Sequence, residues 1–234
     1  MENKPIKLVL SALDNYGGHP FDEIADVVMS VYAPEDVGAA KELTDKLVLV
    51  IWGGEDISPA IYGQVGNQFT QAPDKPSSRD KLEIALAEKA MKLNIPIVGI
   101  CRGAQLMCAL SGVTLVQHVT GHVGGYHEIV TNKGEKFNCP SLHHQMMFPW
   151  EIKEFEMLAW PPKPRSAIYK GQPDVESLDP EGMDLTLLGE EPEIIWIPST
   201  KSLCIQSHPE FIHDVKHPFV QHCLKLTETY CGMA

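Results

Sequence analysis

Gly99-Ile100-Cys101-Arg102-Gly103 sets a cysteine among small residues, where an apolar, β-branched run gives way to a helical one. Ile95-Pro96-Ile97-Val98-Gly99-Ile100 reads as a buried strand, and Gly103-Ala104-Gln105-Leu106-Met107-Cys108-Ala109-Leu110 reads as a helix. A strand turning sharply into a helix presents its central side chain at the carboxyl end of a sheet, beside a helix N-terminus. The turn is crowded, so its neighbours must be small. Helix N-termini favour negative charge and hence the thiolate form of a cysteine placed there. Cys101 is therefore a candidate nucleophile, with a buried structural cysteine as the competing reading.

A cysteine nucleophile needs a base, and the base needs an orienting group. His143-His144 and His208 are the two candidate sources. Ser207-His208-Pro209-Glu210 follows directly on the apolar strand Leu203-Cys204-Ile205-Gln206, which puts His208 level with Cys101 if the two strands share a sheet. Glu210 could take the Nδ1 proton of His208 and fix its tautomer. A polar turn after a strand is the alternative. His143-His144-Gln145 could also begin a zinc site, but no third ligand stands at a recognisable spacing, so neither a metal nor a cofactor is expected.

The elements that must position these groups alternate. Strand-like runs recur at Ile6–Leu10, Leu47–Trp52, Ile95–Ile100 and Val113–Gln117, with helical patterns between them, clearest from Arg79 to Leu93. Such alternation implies an α/β domain whose parallel sheet is covered on both faces and binds ligands at the carboxyl ends of its strands. After residue 125 the helical signal fades. Two strands joined by Ser199-Thr200-Lys201 and a last helix from Pro218 to about Tyr230 close the chain. Pro161 to Pro192 lacks periodicity and reads as an insertion or flap loop. Its acidic residues Asp174, Glu176, Asp179, Glu181 and Asp184 would suit a cationic leaving amine such as a polyamine conjugate, or form a solvated loop.

At 234 residues the chain suits a single domain spanning 1–234, and its 44% hydrophobic content can fill a large core. A net charge of -12 argues against nucleic-acid binding, which wants a basic face. No apolar run reaches the ~20 residues of a membrane span. No signal-peptide pattern precedes the first strand, and the six cysteines lack a disulfide-scaffold or CxxC spacing, so a reducing, cytoplasmic location is expected.

Gly-Ile-Cys-Arg-Gly-Ala-Gln at 99–105, followed about a hundred residues later by Ser-His-Pro-Glu, resembles the class I glutamine amidotransferase superfamily. Within it the chain is most similar to the stand-alone γ-glutamyl hydrolase branch, the C26 peptidases. Trp52-Gly53-Gly54 with the downstream Pro59-Ala60-Ile61-Tyr62-Gly63 is similar to that branch's glycine loop and Pro-x-x-Tyr-Gly. Arg79-Asp80 with Glu83 matches its Arg-Asp helix start, and Ser141-Leu142-His143-His144-Gln145 is similar to its Asn-Ser-x-His-His-Gln block near the glutamyl site. Gln145-Met146-Met147 together with residues 200–206 also looks like stand-alone members encoded by bacteriophages.

The resemblance implies a flavodoxin-like three-layer fold with a mainly parallel sheet and a cysteine nucleophile elbow. It implies a Cys101-His208-Glu210 triad and an oxyanion held by the amides of Gly54, beside Gly53, and Arg102; losing one such donor typically costs about 3–4 kcal/mol. Gln105, Ser141, His143 and His144 would bind substrate. The implied reaction is hydrolysis of a γ-glutamyl amide, in glutamine or a γ-glutamyl amine or peptide, through a γ-glutamyl thioester. The alternative is a glutaminase subunit that feeds ammonia to a synthetase. No P-loop Gly-x-x-x-x-Gly-Lys-Ser/Thr occurs, so that synthetase would be a separate partner. A scaffold that only binds has no physical need for all three triad residues. Several positions depart from the family: Pro140 for asparagine, Ser207 for tryptophan, Trp52 for proline, and Leu106-Met107-Cys108-Ala109 for Leu-Asn-Val. All border the pocket, so substrate identity does not transfer.

Overall fold

The computed structural model describes residues 4–13, 15–170 and 190–234. Among these, nine strands form one sheet: β1 (Leu8–Ala12), β2 (Val27–Val31), β3 (Leu47–Ile51), β4 (Ile97–Ile100), β5 (Val123–Thr131), β6 (Lys136–Leu142), β7 (Glu156–Trp160), β8 (Ile194–Ile197) and β9 (Ser202–Ile205). Their spatial order is β2-β1-β3-β4-β9-β8-β7-β5-β6. The first five in that order run parallel. From β9 outward every pairing is antiparallel. The expected parallel sheet is thus present and carries the Cys101 and His208 strands, and an antiparallel extension continues it.

The helices are α1 (Pro34–Leu43), α2 (Ser78–Lys92), α3 (Arg102–Leu110) and α4 (Pro218–Tyr230). β3, Leu-Val-Leu-Val-Ile, has no polar face because neither side of the sheet meets water. Leu47, Leu49 and Ile51 share a core with Val37 of α1, Leu86 of α2 and Ala104 of α3. Val48 and Val50 point the other way, into a core with Phe219, Val220 and Leu224 of α4. Each such buried side chain contributes about 1.5–3 kcal/mol, and the period of two is what makes three layers from one strand. α2 starts at a capping box: Ser77 Oγ accepts from the Asp80 amide at 3.0 Å, and Asp80 Oδ2 accepts from the Ser77 amide at 2.8 Å. It stops at Asn94, which takes a φ of 59°, before Ile95-Pro96 begin the next strand.

One expected strand needs adjusting, and one hairpin was not expected. The strand over Val113–Gln117 shrinks to Leu115–Val116, paired with Met146–Met147 outside the main sheet. Gln117 is drawn away to the Asn67 side chain at 2.6 Å and the Val65 carbonyl at 3.1 Å. The β5–β6 hairpin escapes the sequence pattern because Gly124 and Gly125 break its alternation and Pro140 sits in β6. Proline is tolerated there since β6 is the sheet's edge. The expected 161–192 loop is described only at its ends, and the acidic residues 174–184 lie outside the described residues. No described helix is long and apolar enough to cross a membrane.

α3 lies unusually close to the sheet. A Cβ on Gly103 would overlap the Ile51 carbonyl oxygen, and one on Gly99 would overlap the Gly103 backbone. Gly103→Ala should therefore cost about 3 kcal/mol in urea unfolding. A loss below about 1 kcal/mol would contradict this close approach.

Candidate active site

Cys101 sits between β4 and α3 with φ 47° and ψ -103°, a conformation that costs a non-glycine residue roughly 1–3 kcal/mol. Two hydrogen bonds hold it there. Its amide donates to the Ile205 carbonyl at 2.7 Å, continuing the β4–β9 ladder, and its carbonyl accepts from the Gln105 amide at 3.0 Å, opening α3. The result is the sharp strand-to-helix turn expected from the sequence, with the side chain 6% exposed at the carboxyl end of the sheet.

β9 runs parallel to β4 with Ile205 opposite Ile100, so the residues after both strands emerge at one edge. Those after β9 deliver His208. Its Nδ1 lies 2.7 Å from Glu210 Oε1, its ring stacks on Phe211 at 4.5 Å, and Nε2 makes no hydrogen bond, which leaves it available to Cys101. A Cβ placed on Gly53 would stand 2.9 Å from His208 Cε1 and 3.5 Å from Cys101 Cβ, so cysteine, histidine and the glycine loop meet at one point. Burial opposes charge on His208, yet Cys101 and Glu210 outweigh it and push its pKa up to about 10. The histidine's protonated form is thereby favoured by the partners on its two sides.

The glycine loop is fixed from α2. Arg79 donates to the Gly53 carbonyl at 2.8 Å and pairs with Glu83 at 2.8 Å. Gly54 has φ 148°, which favours glycine, and a Cβ there would displace the Arg79 guanidinium. The Arg102 side chain is buried in ion pairs with Asp80 and Glu83.

The other expected substrate residues separate. Gln105 donates to the Gln145 carbonyl at 3.0 Å and approaches Gln206 Oε1 at 3.4 Å. Near it the side-chain amide of Gln145 and Nε2 of Gln206 are buried without protein partners. Ser141 Oγ is spent on the His122 carbonyl at 2.7 Å. His143 and His144 diverge: His144 Nε2 lies 3.0 Å from Asp56 Oδ1 beside the glycine loop, whereas His143 turns inward toward Glu193. Tyr16 escaped the sequence reading. It follows β1 at the same sheet edge, stacks obliquely on Trp52 at 5.2 Å, and has its pKa raised by burial and by Glu210. The signal that could have found it is Asn15-Tyr16-Gly17-Gly18 directly after the first parallel strand.

Two measurements check this geometry. Arg102→Met leaves two buried carboxylates without their shared partner and should cost about 3–5 kcal/mol, with much of it recovered when Asp80→Asn and Glu83→Gln are added. The proton on His208 stabilises the fold fully below pH ~6.5, and that contribution is lost as pH rises toward about 10. Unfolding free energy should thus fall more steeply over this window in the parent chain than in His208→Gln. Parallel profiles would refute the paired imidazolium.

Residues 20–150, more than half of the chain, match the Peptidase C26 family. A provisionally named glutamine amidotransferase of Mycobacterium tuberculosis is 43% identical over 94 residues, covering 39% of this chain and 29% of that protein. The gamma-glutamyl-gamma-aminobutyrate hydrolase of Escherichia coli O157:H7 is 30% identical over 108 residues, covering 45% of this chain and 38% of that protein. These matches span well under two thirds of either relative. The PurLQS structure from Thermotoga maritima superposes with a TM-score of 0.60 at 12% identity, covering 96% of this chain and 99% of that one, which shows a shared fold. The chain belongs to the Peptidase C26 family.

Proposed function

We propose that the chain hydrolyses a γ-glutamyl amide bond with Cys101 as nucleophile, His208 as general acid and base, and Glu210 as the residue that orients His208. One observation carries this reading: a strained cysteine at a helix N-terminus adjoins a histidine whose Nδ1 is held by a carboxylate and whose Nε2 is uncommitted. The family membership makes the γ-glutamyl group the natural acyl donor.

On this reading His208 Nε2 holds the Cys101 proton, and the thiolate adds to the γ-carbonyl carbon. The tetrahedral oxyanion is met by the amides of Gly54 and Arg102. Its collapse breaks the C–N bond while His208 returns its proton to the leaving amine, giving a γ-glutamyl thioester. Water, deprotonated by His208, then adds to the thioester carbon; breaking the C–S bond releases glutamate and restores the thiolate beside the protonated His208. The buried side-chain amide of Gln145 and Nε2 of Gln206 suit the polar α-carbon end of the glutamyl group, since buried donors and acceptors gain most from a ligand that satisfies them.

The names of relatives such as the mycobacterial protein favour a second reading, an ammonia-donating glutaminase subunit that works beside a synthetase. Product release by the purified chain separates the two. We expect turnover of one γ-glutamyl amine or peptide well above that of free glutamine, and at least a ~10³-fold loss in Cys101→Ala. Activity surviving in Cys101→Ala would overturn the nucleophile. Cys101-dependent turnover of glutamine alone, stimulated by a copurifying synthetase, would select the second reading.

A further inference from the structure

Beside the strand that delivers His208 lies a second group of ionisable side chains withdrawn from solvent, centred on His122, His143, Glu191 and Glu193. Their hydrogen bonds fix the tautomers. Glu191 Oε1 faces the Ser166 amide at 2.8 Å and the Tyr169 hydroxyl at 2.5 Å, and Oε2 faces the Arg165 amide and His122 Nε2, each at 2.9 Å. A carboxylate surrounded by donors only accepts, so His122 carries its proton on Nε2. His143 Nδ1 lies 2.8 Å from the Gln145 carbonyl, which also only accepts.

The two remaining nitrogens, His122 Nδ1 and His143 Nε2, are buried and make no well-formed hydrogen bond. They stand 3.4 and 3.7 Å from the same atom, Glu193 Oε1. Two imidazole lone pairs converging on a buried carboxylate oxygen, which His127 Nε2 also faces at 2.8 Å, repel it and one another unless a cation lies among them. Their separations exceed those of good N–H···O bonds. They approach the ~3.4 Å edge of a tetrahedral shell built on zinc–nitrogen and zinc–oxygen bonds of about 2.0–2.1 Å.

We propose that His122 Nδ1, His143 Nε2 and Glu193 Oε1 bind a zinc ion, with water in the fourth position. Glu191 and the Gln145 carbonyl are then the outer partners that aim the two imidazoles, as metal-bound histidines require. Glu193 is itself oriented through both oxygens: Oε1 also faces His127 Nε2 at 2.8 Å, and Oε2 accepts from Ser207 Oγ at 3.0 Å. Burial lowers the pKa of His143, keeping it in the neutral form a ligand needs. The rival occupant is a proton on His122, whose pKa reaches about 9 because Glu191 and Glu193 outweigh its burial. The ion would brace the active site from beneath. Ser207 adjoins His208, and the Gln145 carbonyl also accepts from Gln105, one turn after Cys101.

Tag-free protein, purified both as the parent chain and as Cys101→Ala, tests this by elemental analysis after gel filtration. About one zinc per chain is expected in both, with Tm falling about 5 °C on chelation and returning with zinc but not magnesium. His122→Gln and His143→Gln should each lose the ion, while His144→Gln keeps it. If those variants fail to fold, cobalt loading of the parent chain decides the matter, through the visible absorption of a four-coordinate nitrogen–oxygen site. Zinc that disappears in Cys101→Ala would place it on the nucleophile and overturn the assignment. A folded parent chain that takes up neither zinc nor cobalt would overturn it in favour of the proton.

Discussion

The parallel pairing of β4 with β9 is the contact on which the site depends. These strands lie far apart in the sequence, yet the Cys101 amide donates to the Ile205 carbonyl as a last rung before both chains leave the sheet. A slip of one residue would invert the side chains of either strand and carry Cys101 away from His208. The slip is suppressed because Val98, Ile100, Leu203 and Ile205 are buried on one face while Ile97 and Cys204 are buried on the other. The register that the core demands is also the one that assembles the site.

Charge does the second part of the positioning. Arg102, Asp80, Glu83 and Arg79 form a network linking the elbow helix to α2 and onward to the glycine loop. Two carboxylates and a guanidinium in a dry interior are tolerable only as a set, since each alone would carry a large desolvation cost. The acidic residues in the first turns of α2 thus do more than complement its helix dipole: they set how far α3 stands from Gly53 and Gly54.

What could be read from the sequence followed the range of the interactions. The elbow, the His-Pro-Glu turn, α2 and α4 are local, and their small residues, caps and periodicities state them directly; Pro218 and Tyr230 do bound the last helix. The β5–β6 hairpin was not legible because two glycines and a proline blur its alternation. The inward turn of His143 was hidden for a different reason. Its companions His122 and Glu193 come from other segments, and no spacing rule connects them. Gln105 was recognisable as a residue near the site, but its commitment to Gln145 and Gln206 depends on how three segments fold together.

The backbone at Cys101 has a kinetic meaning. With its amide and carbonyl both engaged and its φ in a region that side chains rarely adopt, this residue retains little beyond rotation about one side-chain bond. The entropy of aligning sulfur with an incoming carbonyl has already been surrendered when the chain folds, and is not charged again at each encounter. Stability and readiness to react are therefore drawn from one reserve, and relaxing this turn would make the chain sturdier and slower together.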